Sequence, residues 1–411
     1  MEQILEPSER GSPTAARGSA VKESPRIGYG PALHEPETVR GTQFHRRMLD
    51  IALPRTSWRF SLRDKLSRRG MHKLFHIFVR HHGARRIANF VRYLRQRERV
   101  VEAGYMPPLV ALDLSNRCNL KCPGCATGLG LGRVRGSAGF DLARQVIDQV
   151  SGTALQLGFF HWGEPLLNRT AYQAIEYAVE QGLWTVVSTN LSFPIDRWLH
   201  AIFQSGLHDI VISCDGTTQD VYERYRKGGD VELVFKNLKR LRAMRDELGQ
   251  RTPYLRAKMI VFEHNWHQIE EFRERALAAG ADEVTYAFGY GGESYQTGTN
   301  GGGHYFDLTR LEWVRKSPAG ACTEVWKEIF VGHDGAAFSC CLGYRDEDLF
   351  AGPADDGQID VAAIWNNGHY RASRRFFAEG GPSTDLPKGC QDCEFVTAQV
   401  ELQSTAPAEP Q

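Results

Sequence analysis

The sequence predicts an α/β protein whose strands run parallel, with a helical segment before the sheet and a small cysteine-rich unit after it. Two observations carry the parallel sheet. From Pro108 onward, short apolar runs alternate with helical stretches until six strands have been laid down. Each helical stretch is long enough to return the chain to the end where the previous strand began, as parallel neighbours require. A third observation sets the limits. Helical periodicity replaces the alternation before Pro108, and a glycine-rich stretch from Gly291 to Gly303 ends it.

In order along the chain, residues 1–40 are rich in Gly, Pro, Ser and Glu without a hydrophobic period, and are expected to be disordered. Residues 41–105 read as a basic helical extension. Within it Leu74, Phe75, Phe78 and Val79 recur at helical spacing, as do Ile87, Phe90, Val91 and Leu94, and His82-Gly83 is a natural break. Strands are expected at 109–114, 155–160, 185–188, 210–213, 255–262 and 283–288, and helices at 141–150, 172–180, 198–203, 231–247 and 267–279. Asp141 is the expected N-cap of the first of these helices. Gly182, Gly206, Gly249 and Gly280 follow the others as stop signals. Residues 106–291 thus make the sheet domain, 292–395 a cysteine-rich unit, and 396–411 a polar tail expected to be disordered. The pattern fits a partial barrel and an open doubly wound sheet equally.

With 411 residues, of which 42% are hydrophobic, the chain has the material for a sizeable core. A net charge of +1 argues against a nucleic-acid binder. The average hides a local excess: between Arg40 and Arg99 the only acids are Asp50, Asp64 and Glu98. Basic amphipathic helices of this kind make residues 41–105 a candidate contact with an anionic membrane, or else a solvated face packed on the sheet. No apolar signal segment follows Met1 and no apolar run is long enough to cross a bilayer, so a cytoplasmic protein is expected. Nine cysteines in that setting read as metal ligands or thiols rather than disulfides.

Three of the cysteines, Cys118, Cys122 and Cys125, share one loop directly after the first strand. Thiolates hold iron–sulfur clusters, and closely spaced ones can wrap a single cubane. Three ligands leave one iron open to bind something else. A structural zinc site or three buried thiols is the alternative, but zinc would want a fourth ligand.

The spacing Cys118-x-x-x-Cys122-x-x-Cys125 after a strand, flanked by Arg117 and Asn119, resembles the signature of the radical S-adenosylmethionine superfamily. The resemblance implies a partial (β/α)6 barrel. It also implies a [4Fe–4S] cluster whose open iron chelates the methionyl group of S-adenosylmethionine, and reductive cleavage to a 5′-deoxyadenosyl radical. Further matches follow later strands. Gly163-Glu164-Pro165, with Trp162 in place of a glycine, resembles the segment that receives the methionyl amino group. Ser188 and Asn190 resemble the segment near the ribose, although Leu191 stands where a glycine is common. Ser213-Cys214-Asp215-Gly216 resembles a motif after strand four, and Arg226 is the candidate for the cofactor carboxylate. Without the resemblance, Glu164 could cap a helix, Asp215-Gly216 could be a turn, Arg226 could be a surface charge and Cys214 core.

Cys322, Cys340, Cys390 and Cys393 form a second set. Four thiolates could enclose one cluster completely, or one zinc ion. The arrangement resembles the auxiliary-cluster region called SPASM, or its shortened twitch form, and implies one auxiliary [4Fe–4S] cluster. Cys341 is left over, either as the ligand in place of Cys340 or as a thiol that returns hydrogen to a substrate. The expected activity is abstraction of hydrogen from a substrate C–H, for oxidation or epimerisation of a small molecule, sugar or lipid-linked glycan, with peptide maturation as the alternative. A membrane-surface scaffold with structural metal sites is the reading from another class. An electron donor such as flavodoxin or ferredoxin is an implied partner.

Overall fold

The computed structural model describes residues 68–79, 82–262, 264–288, 322–353, 357–393, 396–397 and 399–400. The segments expected to be disordered at 1–40, the start of the helical extension, and the glycine-rich stretch lie outside these residues, as does the tail beyond 400.

Two helices come first, α1 (Arg68–Val79) and α2 (Gly83–Gln96). The barrel region runs β1 (Leu109–Leu112), α3 (Ala126–Leu129), α4 (Phe140–Val150), β2 (Gln156–Phe159), α5 (Ala171–Glu180), β3 (Trp184–Thr189), α6 (Leu199–Gln204) and β4 (Asp209–Ser213). It continues through α7 (Gln219–Tyr225), α8 (Val231–Glu247), β5 (Tyr254–Val261), α9 (Ile269–Ala278) and β6 (Glu283–Phe288). The last part holds α10 (Glu324–Lys327), β7 (Glu328–Val331), β8 (Ala337–Phe338), α11 (Val361–Trp365), α12 (Gly368–Glu379) and α13 (Lys388–Gln391).

All eight strands share one sheet, ordered β6-β5-β4-β3-β2-β1-β7-β8. β1 to β6 are parallel neighbours in sequence order. The sheet does not stop at β1. β7 pairs with it in parallel, from Leu109↔Glu328 to Leu112↔Val331, and β8 turns back antiparallel. The cysteine-rich part therefore grows out of the barrel edge.

Side-chain alternation divides the sheet into two faces. Along β5, Leu255, Ala257, Met259 and Val261 are buried, while Tyr254, Arg256, Lys258 and Ile260 are half-buried. The first set joins Ile147, Ile175, Phe203, Leu238 and Phe272 of the crossover helices in the main core. The second set faces inward, where smaller clusters form around Trp184 and Val186 and around Ala111, Phe330 and Phe338. A sheet covered by helices on its outer face alone, with a packed concave face, is a partial barrel.

The helical pair closes the end of the barrel where the strands begin. In α1, His76 packs on Trp184 and His208, and the Lys73 ammonium donates to Gln156 Oε1 at 2.7 Å. In α2, Arg86 donates to the carbonyls of Ser151 (2.9 and 2.6 Å) and Gln181 (3.1 Å). Asn89 donates to Met106 and Thr153 carbonyls and accepts from the Met106 N–H. These polar groups are held because they satisfy loop carbonyls that would otherwise be buried unpaired.

This arrangement reverses part of the expected amphipathic pattern. Arg86 and Asn89 are buried, whereas Phe75, Val79, Ile87, Val91 and Leu94 of the apolar set are exposed. Two smaller expectations are also corrected. Asp141 lies in the first turn of α4 and Gly139 is its N-cap. Val396, placed at the start of the tail, is buried in the main core.

Candidate active site

Loops at the carboxyl ends of β1 to β4 bring the sequence-selected residues to the opposite end of the barrel from α1 and α2. The loop after β1 carries Cys118, Cys122 and Cys125, and Cys125 is the N-cap of α3. Cys125 N–H donates to the Cys122 carbonyl at 3.1 Å, and Leu120 N–H points at Cys118 Sγ at 3.4 Å. The three side chains pack together with Leu120, Tyr225 and Phe262. The loop is tied across the barrel mouth: Lys121 N–H donates to the Lys227 carbonyl, and Asn119 Nδ2 to the Ser192 carbonyl.

Gly163 makes the next loop possible. An added Cβ there would overlap the Ser115 carbonyl and stand 2.9 Å from the Arg117 carbonyl oxygen. With hydrogen in that place, Glu164 N–H reaches the Arg117 carbonyl at 2.8 Å and fixes its loop against the cysteine loop. The Glu164 side chain caps the short turn Pro165–Leu167 through Leu166 N–H and accepts from Asn190 N–H at 2.8 Å. Burial raises its pKa to about 7, against the hydrogen bonds that lower it. Trp162 donates from its indole to the Gly343 carbonyl at 2.6 Å, joining this loop to the cysteine-rich part.

Asn190 Nδ2 contacts both Asn119 Oδ1 (3.0 Å) and Cys118 Sγ (3.6 Å). The next residue, Leu191, has φ 53°, a left-handed conformation that favours glycine. Thr189 Oγ1 accepting from Leu191 N–H, and Asn237 Nδ2 donating to its carbonyl, hold it there while its side chain is buried. Ser188 and Ser213 sit half-buried on the inner face of adjacent strands, and Ser213 is in register with Lys258. Cys214 points the other way, into the main core.

Arg226 is largely buried, its side chain 12% exposed, rather than a surface charge. Its Nε donates to Asp215 Oδ2 at 2.5 Å, and it lies beside Cys122. Asp215 in turn accepts from Ile260 N–H. Burial pushes the Cys118 thiol up to about 12 and Cys122 up to about 11, and raises Cys125. Three thiols so desolvated do not ionise in water's absence without a cation beside them, so the donor set fits a metal-bearing group.

Of the second set, Cys322, Cys390 and Cys393 pack against the main core. Cys390 and Cys393 lie one turn apart; Cys393 and Cys322 raise the Cys390 thiol further, and Cys341, Cys390 and Cys393 do the same to Cys340. Burial raises the thiols of Cys322, Cys340 and Cys390. Cys341 is exposed, and its charge acts on both Cys340 and Lys258. Among the described residues, no three Cys, His, Asp or Glu side chains converge closely enough to hold a single metal ion.

Sequence reasoning missed three inner-face groups. Lys258 is half-buried and its pKa is lowered by desolvation. Asp113 and His161 line a small cavity of about 20 Å³, room for about one water, between the cysteine loop and the 332–344 segment. His161 donates to the Cys341 carbonyl, while its Nε2 is buried without a hydrogen-bond partner. The period-two burial of β5 could have flagged Lys258 as inward-facing.

A parallel partial barrel with thiols on the loop after its first strand, and a thiolate-rich part on its edge, defines an iron–sulfur enzyme class. Residues 112–276 match the model of the radical SAM superfamily, and residues 322–394 match an iron–sulfur cluster-binding domain of the SPASM type. The chain belongs to the radical SAM superfamily and carries that auxiliary domain. This membership brings S-adenosylmethionine and [4Fe–4S] clusters, one that binds S-adenosylmethionine and one auxiliary.

Among curated relatives, the PqqA peptide cyclase of Rhodopseudomonas palustris is 27% identical over 188 residues, covering 46% of this chain and 48% of that protein. The AdoMet-dependent heme synthase of Methanosarcina barkeri is 25% identical over 120 residues, covering 29% of this chain and 34% of that one. The chain spans about half the length, or less, of these relatives. Among solved structures, Streptococcus suis SuiB bound to its precursor peptide SuiA superposes with a TM-score of 0.53. It is 14% identical, over 76% of this chain and 74% of SuiB. SuiB bound to S-adenosylmethionine gives 0.52 at 15% identity, over 76% of each chain. At such identities the likeness is one of fold, the partial barrel. No described helix is long and apolar enough to cross a membrane.

Proposed function

We propose that this enzyme modifies a peptide by radical chemistry, with Cys118, Cys122 and Cys125 holding the S-adenosylmethionine-binding cluster and Cys322, Cys340, Cys390 and Cys393 the auxiliary one. The relatives fit this peptide reading better than oxidation or epimerisation of a sugar or lipid-linked glycan, the first expectation from the sequence. A PqqA peptide cyclase and a peptide-bound SuiB stand among them. The observation that supports the two-cluster assignment is the separation of the thiols into a set of three beside Arg226 and a second set in the C-terminal part, where Cys322, Cys340, Cys390 and Cys393 act on one another.

When bound, the first cluster and S-adenosylmethionine supply hydrogen-atom abstraction from an unreactive C–H. The residues of the chain orient and exclude. Glu164, fixed by Leu166 and Asn190 N–H groups, presents a carboxyl for the methionyl amino group, and Gly163 and Pro165 set its loop. Ser188, Asn190 and Ser213 offer hydroxyl and amide groups to the ribose side of the cofactor. Arg226, oriented by Asp215, supplies the positive charge near the methionyl carboxylate and the cysteine thiolates. Asp113, His161 and Lys258 face the substrate. A one-electron donor such as flavodoxin or ferredoxin is required.

The test is product analysis. Reconstituted, reduced protein is incubated with S-adenosylmethionine and with precursor peptides encoded beside its gene. Peptide-dependent 5′-deoxyadenosine and a peptide that has lost two hydrogens, or gained solvent deuterium, support the reading. Turnover stimulated by a sugar or glycan and by no peptide overturns it.

A further inference from the structure

The α1–α2 pair buries Ile77 and Tyr93 but leaves other apolar side chains outside, and this points to a partner. On α2 the side sunk into the barrel carries Arg86, Asn89 and Tyr93. The opposite side presents Ile87, Val91 and Leu94 at i, i+4 and i+7, a continuous stripe. On α1, Phe75 and Val79 are one turn apart and 54% and 65% exposed. These five make up half of the ten large apolar side chains exposed among the described residues, so the patch is not the ordinary scatter of a surface.

Arg95 stands beside the stripe, four residues on from Val91, and Arg92 lies further round the same outer side; both are exposed. Neither Asp nor Glu occurs between Asp64 and Glu98. The face is thus apolar in the middle and cationic at the border, without a local counter-charge.

We propose that this face docks on an anionic lipid surface. Apolar side chains enter the headgroup boundary while arginines meet lipid phosphates and carboxylates, as in an interfacial helix. Two other occupants fit less well. A second copy related by a two-fold axis would bring the same arginines against each other. The adjoining segment 41–67 carries six Lys and Arg against Asp50 and Asp64, so it supplies no complementary charge.

The placement has a functional consequence. Every anchor of the pair lies where strands begin: Gln156 opens β2, Trp184 opens β3, and Ser151 and Gln181 precede them. The cysteine loop lies where β1 ends. A docked enzyme therefore turns its reactive mouth away from the bilayer, and the membrane is a platform rather than the source of substrate.

The experiment uses full-length, cluster-loaded protein co-sedimented with vesicles of phosphatidylcholine alone or with phosphatidylserine added. Binding is expected only with phosphatidylserine, and it falls about tenfold when salt shortens the screening length. The triple variant I87S/V91S/L94S and the pair R92E/R95E each lower binding at least about tenfold, with iron content and melting temperature unchanged. Equal binding to neutral vesicles, no binding, or binding that both variants retain overturns the proposal. So does a dimer that the triple variant dissociates, which makes the occupant a second copy. Binding that appears only after deletion of residues 1–67 also overturns it, making that segment the native cover.

Discussion

Gly163→Ala tests whether the loops after β1 and β2 work as one device. The added methyl group would overlap the Ser115 carbonyl, 2.5 Å from its carbon and 2.9 Å from the Arg117 oxygen. Non-bonded contacts are comfortable at about 3.2–3.5 Å, and the Ser115 oxygen is the nearest atom, so one loop must retreat by about 1.5 Å. Both obstacles are backbone and cannot swing aside as a side chain could. The retreat stretches the 2.8 Å bond from Glu164 N–H to the Arg117 carbonyl, whose loss leaves buried groups unpaired at a cost of about 1–3 kcal/mol. It also shifts the Glu164 carboxyl relative to Asn190 and Cys118. A misplacement of about 1 Å at a reacting site can cost about 100-fold. The variant is therefore expected to stay folded, with its melting temperature lowered by a few degrees. S-adenosylmethionine affinity by calorimetry and 5′-deoxyadenosine formation fall by about 100-fold together. Gly352→Ala is the control, since an added Cβ there has nothing within 4 Å. Wild-type affinity and cleavage in Gly163→Ala would refute the reasoning.

Two further predictions address other parts of the molecule. Burial, and then the neighbouring His76, lower the His208 pKa to about 3, although Asp209 opposes them. An unfolded His titrates near 6.5, so the native state loses stability as pH falls below about 6.5. The loss reaches about 2 kcal/mol at pH 5. His161 and His264 have shifts of the same sign, so thermal melts between about pH 7.5 and 5 should show at least this slope, and His208→Asn should make it shallower by about the His208 share; an unchanged slope contradicts a buried neutral imidazole. For the turn at 340–341, Cys341→Ala should keep all its iron and change only the fate of substrate hydrogen, read as lost deuterium incorporation. Cys340→Ala should lose the auxiliary iron. The reverse pattern would make Cys341 the ligand.

The barrel was legible because its signals are local. Each expected strand and helix from 109 to 288 is present within a few residues, since apolar runs and glycine stops act on nearby chain. β7 and β8 were not legible. They hold four and two residues, and β7 pairs with a strand more than two hundred positions earlier, a choice no local pattern records. The helical pair was legible as helices but not in its facing. Arg86 and Asn89 are buried because carbonyls at 106, 151, 153 and 181 need donors, and periodicity counts apolar residues, not carbonyls. At the site, the cysteines stood out by spacing within one loop. Cys340 and Cys341 could not be told apart, because adjacent residues differ only in direction. The departure at Leu191 changes the residue and not the backbone, which keeps the left-handed turn.

The central claim is that two thiolate sets do different work. The direct measurement is iron content and S-adenosylmethionine cleavage in the variant with Cys118, Cys122 and Cys125 all replaced by Ala. Wild-type protein is expected to hold about eight irons, four for each cubane. The variant should keep about half, all at Cys322, Cys340, Cys390 and Cys393, and should form no 5′-deoxyadenosine. Undiminished cleavage, or loss of all iron from a variant that still melts as a folded protein, would contradict the account.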